Sequence, residues 1–188
     1  MPTNVEIKAR LLDRSRAEVG AQRLSDSGPE TIEQEDVFFH CQDARLKLRL
    51  LGPAHGELIR YERTNAAEVR SSRYVIARTE DPQNLLEILR QCLGVAGVVR
   101  KTRLLYMVGQ TRVHIDRVEG LGDFLELEVA MQPGQGEEEG KQIAEGLLTE
   151  LGIEKQHLLA DSYMDLLAKN RGSDDKQRLA RQVSARVV

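Results

Sequence analysis

Apolar and charged residues alternate with a period of two along much of the chain. Val5-Glu6-Ile7-Lys8-Ala9-Arg10, Leu46-Lys47-Leu48-Arg49-Leu50, Val113-His114-Ile115-Asp116 and Leu125-Glu126-Leu127-Glu128-Val129 each put aliphatic side chains on one face of an extended segment and polar ones on the other. Further strand segments lie roughly at 32–39, 56–63, 73–78 and 98–108, so about eight strands are predicted. Helical segments fall between them. One spans about 14–26 and ends before Gly28-Pro29. Another starts at Asp81-Pro82, with Asp as N-cap and Pro in the first helical position, and stops before Gly94. A third opens on Glu137-Glu138-Glu139, acidic residues suited to the positive end of a helix dipole, and ends at Gly152. A fourth is predicted over roughly 156–168. The fold class is α+β, with an antiparallel sheet.

One turn sets a register. Val108-Gly109-Gln110-Thr111 has Gly first in a two-residue loop, as a type II′ hairpin requires. Counting outward pairs Tyr106 with Val113, Leu105 with His114, Leu104 with Ile115 and Arg103 with Asp116. The apolar pairs share one face, and an opposite-charge pair lies on the other.

Which face points inward decides what the protein can do. A half-buried sheet ordinarily turns its charges to water. Here, however, strand charges come as like-sign pairs two residues apart: Lys47 with Arg49, Lys101 with Arg103, Glu126 with Glu128. Neighbouring like charges repel unless something neutralises them. A closed eight-stranded barrel with helices on its apolar outside and charges on its inside meets that need, with a polyanion among the basic strands and a cation at the carboxylates. The interior would then hold Lys8, Lys47, Arg49, Arg63, Lys101 and Arg103 against Glu6, Asp116, Glu126 and Glu128. A triphosphate with about four negative charges and one divalent ion bring such an interior near neutrality, as burial of charge demands. Arginine offers forked donors to phosphate and lysine a point charge, while carboxylates suit Mg²⁺ or Mn²⁺. A carrier of apolar ligands would need apolar side chains where these charges sit.

Composition narrows the classes. Charged residues make up 30% of the 188, yet the formal net charge is only -3. No basic excess marks a nucleic-acid binder, and with no Trp and 4% aromatics there is little to stack bases on. Cys41 and Cys92 have no metal-type spacing and suit a reducing compartment. Neither a signal-peptide core nor an apolar run of about 20 residues is present, so the expectation is a cytoplasmic protein without a membrane partner. Residues 1–170 read as one domain. Residues 171–188, with Arg171, Lys176, Arg178, Arg181 and Arg186, read as a disordered basic tail.

Several segments together resemble the CYTH superfamily of triphosphate tunnel enzymes, and its class IV adenylyl cyclase-like branch in particular. They are Asn4-Val5-Glu6-Ile7-Lys8, Arg45-Leu46-Lys47-Leu48-Arg49, Gly56-Glu57-Leu58-Ile59-Arg60-Tyr61-Glu62-Arg63, Val99-Arg100-Lys101-Thr102-Arg103, His114-Ile115-Asp116, Gly120 through Glu128, and Tyr163-Met164-Asp165-Leu166-Leu167. The resemblance covers about residues 2–169. It implies that Glu6, Glu126 and Glu128 bind Mg²⁺ or Mn²⁺. It also implies that Lys8, Lys47, Arg49, Arg63, Lys101 and Arg103 bind phosphate oxygens, with Lys8 and Asp116 taking part in catalysis. The family signature Glu-x-Glu-x-Lys departs here at Asn4, whose amide oxygen can coordinate a metal but carries no charge.

Three functions follow for such an interior: metal-dependent hydrolysis of a nucleoside, organic or inorganic triphosphate, cyclisation of ATP to cyclic AMP and pyrophosphate, and triphosphate or polyphosphate binding without turnover. Hydrolysis is the reading adopted, since the lost carboxylate at Asn4 weakens the cyclase inference. The expected partner is a small-molecule triphosphate such as ATP or inorganic triphosphate, and homodimerisation is left open. His114 is read as a polar wall residue in preference to a general base. Tyr163 is read as a packing residue, Ser72 and Tyr74 are weighed as ligand contacts with no contact the favoured reading, and His40, His55 and His157 receive no role.

Overall fold

A computed structural model describes residues 3–63 and 70–170. The period-two segments form eight antiparallel strands: β1 (Thr3–Arg10), β2 (Ser27–Phe39), β3 (Arg45–Leu50), β4 (Gly56–Arg63), β5 (Arg70–Thr79), β6 (Val95–Val108), β7 (Thr111–Val118) and β8 (Gly122–Ala130). The sheet curls strongly, and its strands pair in the order β1-β5-β4-β3-β2-β6-β7-β8. β1 runs along β8 from Asn4 to Arg10, and the ring is completed where Thr3–Glu6 meets Arg70–Arg73 of β5.

Helices α1 (Arg14–Leu24), α2 (Pro82–Leu93) and α3 (Glu137–Glu150) lie on the outside. Asp13 and Asp81 cap the first two by accepting hydrogen bonds from the Arg16 and Asn84 backbone N–H groups at 3.0 and 3.3 Å. Helix α1 stops short of residue 26 because Asp26 is already tied to the sheet, its N–H donating to the Met107 carbonyl at 2.7 Å just before β2 begins. The chain continues as β2 through Gly28, where a Cβ would come within 2.7 Å of the Leu105 carbonyl oxygen and where the register against β6 shifts between Ser27 and Glu30.

The helix predicted over 156–168 is two elements. A 3₁₀ turn, Lys155–His157, is followed by an extended link that bridges Ala9 and donates from Leu159 N–H to the Lys8 carbonyl. Helix α4 then begins at 163 and is described to residue 170. Ser162 and Asp165 start it reciprocally: the Ser162 hydroxyl accepts from Asp165 N–H, and the Asp165 carboxylate accepts from Ser162 N–H. The basic tail expected at 171–188 lies outside the described residues. No helix among the described residues is long and apolar enough to cross a membrane.

The β6–β7 hairpin has the register read from its turn, with Arg103 opposite Asp116, Leu104 opposite Ile115 and Tyr106 opposite Val113. Gly109 has φ 54 and no non-glycine residue described has positive φ, which makes the turn type II′.

Packing gives the sheet its polarity. Ile7, Val113, Ile115 and Leu127 face outward beneath Ala17, Ala21, Ala144 and Leu148 of α1 and α3. Leu48 and its neighbours face α2. At one end, Tyr163 of α4 packs edge-on against Phe124, with ring centroids 5.0 Å apart. With both sides of the apolar layer inside the protein, the alternate, charged positions turn to the barrel interior. Ile115→Ala should therefore destabilise the protein by about 2–5 kcal/mol in urea unfolding, whereas a loss typical of a surface position, under about 0.5 kcal/mol, would place that face in water.

Candidate functional site

The interior encloses a cavity of about 690 Å³. Most of its charged side chains occupy an arc of wall running from β3 through β2, β6, β7 and β8 to β1, while β4 and β5 contribute Ile59, Tyr61, Tyr74 and Ile76 together with Glu57, which lies 3.7 Å from Arg49.

The two basic pairs are held in the same way. In β3, Arg49 Nε donates to Asp36 Oδ1 at 3.0 Å and Lys47 Nζ to Oδ2 at 2.7 Å. In β6, Arg103 Nε donates to Asp116 Oδ1 at 2.6 Å and Lys101 Nζ to Oδ2 at 3.0 Å. Each Asp stands directly opposite its Arg on the neighbouring strand, Asp36 on β2 and Asp116 on β7. Burial alone would push both carboxyls up, but the adjacent cations more than reverse it and hold both far below the usual carboxylate range. The Arg partners rise above their ordinary value for the reciprocal reason, despite burial. The lysines respond differently. Burial and the nearby Arg49 lower Lys47 to about 8, Asp36 offsetting only part. Burial and Arg103 likewise lower Lys101. Asp116 also accepts from Tyr163 Oη at 2.9 Å, so its two oxygens are fully engaged.

On the carboxylate side, Glu126 bridges Lys8 Nζ at 3.2 Å and Arg103 Nη2 at 2.7 Å. Burial raises its carboxyl, but Lys8, Arg103 and Lys101 bring it well below the ordinary value. The Lys8 ammonium also lies 4.0 Å from the Tyr163 ring centroid. Glu128 accepts from Arg112 Nε at 2.9 Å. Glu6 sits opposite Glu128 and Lys8 opposite Glu126 in the β1–β8 register. His114, opposite Glu126 on β7, is 3% exposed, and burial lowers its imidazole to about 4, leaving the ring neutral near pH 7. Donor atoms of His114, Glu126 and Glu128 lie within 4.8 Å of one another. Two carboxylates beside a buried neutral imidazole fit a divalent cation.

The CYTH domain family model matches residues 2–163. The chain belongs to the CYTH family. A candidate adenylate cyclase of Methanocaldococcus jannaschii is 26% identical over 170 residues, covering 86% of this CYTH chain and 97% of the relative. Among solved structures, a Pyrococcus horikoshii protein superposes with TM-score 0.78 at 25% identity, over 87% of this chain and 98% of that one. A candidate adenylyl cyclase from Hippeastrum, described as having a dominant triphosphatase activity, superposes with TM-score 0.66 at 18% identity, over 90% and 96% of the two chains. At that identity the likeness speaks for the fold alone.

Of the residues singled out in this CYTH chain, Glu6, Lys8, Lys47, Arg49, Lys101, Arg103, Glu126 and Glu128 line the one cavity. Asp116 lies behind Lys101 and Arg103, fully buried. Arg63 ends β4, and its side chain lies outside what is described, as does that of Ser72. Sequence reading missed Asp36, which does for β3 what Asp116 does for β6. It passed over Arg112, which holds Glu128, and set Tyr163 aside as packing although its hydroxyl reaches Asp116. It also left His114 in the wall, where the structure groups it with the two glutamates.

Breaking one clamp should be costly. Asp36→Asn is expected to destabilise the protein by about 3–5 kcal/mol in urea unfolding, since Lys47 and Arg49 lose their buried counter-charge, and inorganic triphosphate should recover part of the loss. A change below about 1 kcal/mol, with or without triphosphate, would show that the basic pair needs no internal partner.

Proposed function

We propose that this CYTH protein is a divalent-metal-dependent enzyme that binds a triphosphate inside the barrel and hydrolyses it. The observation that carries this reading is the pair of Asp-clamped Lys-x-Arg units beside a carboxylate group in one cavity. Each clamp satisfies only part of its pair's donors, leaving ammonium and guanidinium groups available to phosphate oxygens. Lys47, Arg49, Arg63, Lys101 and Arg103 are assigned to the phosphate chain. Lys8, bridging from β1 to Glu126, is assigned to the reacting phosphoryl group. Asp116 is a positioning residue that fixes Lys101, Arg103 and Tyr163. Glu6, Glu126 and Glu128 are assigned to Mg²⁺ or Mn²⁺, which when bound screens phosphate charge and stabilises charge developing on the phosphoryl oxygens. Water attacks the terminal phosphorus as the bridging P–O bond breaks, giving orthophosphate and the shortened phosphate chain. The Hippeastrum protein, with its dominant triphosphatase activity on a shared fold, agrees with hydrolysis.

Cyclisation of ATP is the second reading. It draws on the Methanocaldococcus relative and on the Ile59, Tyr61, Tyr74 and Ile76 arc, which offers an organic group beside the triphosphate an apolar and aromatic surface. The two reactions differ in which oxygen lies in line with which phosphorus.

³¹P NMR of the protein with inorganic triphosphate or ATP, each with Mg²⁺ and with Mn²⁺, separates them. Orthophosphate release is expected, and Glu126→Ala should reduce it about 100-fold or more. Cyclic AMP with pyrophosphate would establish the second reading, and turnover unchanged in Glu126→Ala would remove the carboxylates from the metal site. A pH dependence also follows. Protonated Lys47 is the phosphate-binding form, so ATP affinity should be full below pH 8 and fall as pH rises through about 8. Lys47→Arg, which stays charged, should move that fall upward, and an unmoved profile would remove Lys47 from the phosphate site.

A further inference from the structure

We propose that His114 is a metal ligand through Nδ1, and that it biases the site towards Mn²⁺ and similar transition-metal ions over Mg²⁺. The inference rests on the reading of this site as metal-dependent and adds a donor that the carboxylate assignment does not contain.

The starting observation is an orphaned atom. His114 Nδ1 is buried and has no hydrogen-bond partner, in a side chain only 3% exposed. Buried polar atoms are nearly always paired, so such an atom calls for an explanation. It points at Glu128, whose Oε1 is 3.7 Å away. That is too long for a hydrogen bond but near the roughly 3–3.5 Å that separates two donors sharing one ion.

The surroundings keep that oxygen turned towards the imidazole. Arg112 Nε takes the other oxygen of Glu128 at 2.9 Å, leaving Oε1 as the oxygen nearest His114. The β7–β8 register sets the whole group, placing His114 opposite Glu126 and Arg112 opposite Glu128. Three donors of two chemistries therefore converge within 4.8 Å, held by strands rather than loops. Hard carboxylate oxygens serve Mg²⁺ well. An imidazole nitrogen is a poor ligand for Mg²⁺ and a better one for first-row transition ions, Mn²⁺ included.

Mn²⁺ binding alone tests this, without turnover. Electron spin-echo spectra of the full-length protein loaded with Mn²⁺ should show ¹⁴N modulation from a directly bound nitrogen. His114→Phe should abolish it and lower the ratio of Mn²⁺ to Mg²⁺ affinity by about tenfold or more. His114→Gln carries the same test should the Phe variant fail to fold. Mn²⁺ that binds without ¹⁴N modulation, modulation that survives both variants, or an unchanged affinity ratio would overturn the inference while leaving a carboxylate metal site in place. Absence of Mn²⁺ binding to the wild-type protein, or binding unaffected by Glu126→Ala, would overturn the metal reading and this inference together.

Discussion

Two buried aspartates each hold a lysine and an arginine that stand two residues apart on the next strand. The interior depends on this arrangement. Lys47 beside Arg49 and Lys101 beside Arg103 would repel strongly in a low-dielectric cavity. Asp36 and Asp116 divide their oxygens in the same way, Oδ1 to Arg Nε and Oδ2 to Lys Nζ. Each aspartate alone offsets one of the two charges in its pair, and the arginines reach a second carboxylate, Arg49 lying 3.7 Å from Glu57 and Arg103 2.7 Å from Glu126. Each unit keeps its two cations oriented by short, directional contacts, which is a preorganised anion site. The arginines remain charged under any ordinary condition, while the lysines, depressed by burial and by those same arginines, are the adjustable members.

The rest of the fold holds such a cavity in shape. Burying charge inside requires the apolar faces to find partners outside, and α1, α2 and α3 supply them. Helix α4 completes the arrangement at one end, where Tyr163 touches Phe124, donates to Asp116 and lies beside Lys8. That one side chain links the end packing to both the basic and the carboxylate parts of the wall.

Where a strand has one face on a helix and one on the cavity, its sequence alternates cleanly. β1, β3, β7 and β8 were legible for this reason, and the Gly109 turn extended the register to β6. β2 is different. Around Glu33-Gln34-Glu35-Asp36 its outer face is not covered by a helix: Glu33 bonds Thr102 and Glu35 pairs with Arg100 at the surface. Both faces are polar there, no period shows, and Asp36 stayed hidden. Helix α4 was misplaced because its start is set by the Ser162–Asp165 cap, while the residues before it are drawn into an extended link along β1. Alternation also put His114 inward, but which of its nitrogens lacks a partner depends on how Arg112 turns Glu128, which only packing decides.

The central claim is that the inward cations form a site for a triphosphate chain. The most direct measurement is thermal unfolding of the metal-free protein with inorganic triphosphate, compared with orthophosphate and sulfate at matched ionic strength. Triphosphate should raise the melting temperature in a saturable way, with about 2.7 kcal/mol of stabilisation at a hundred times its dissociation constant, while the smaller anions have far less effect. Equal shifts for all three anions, or none, would contradict the account.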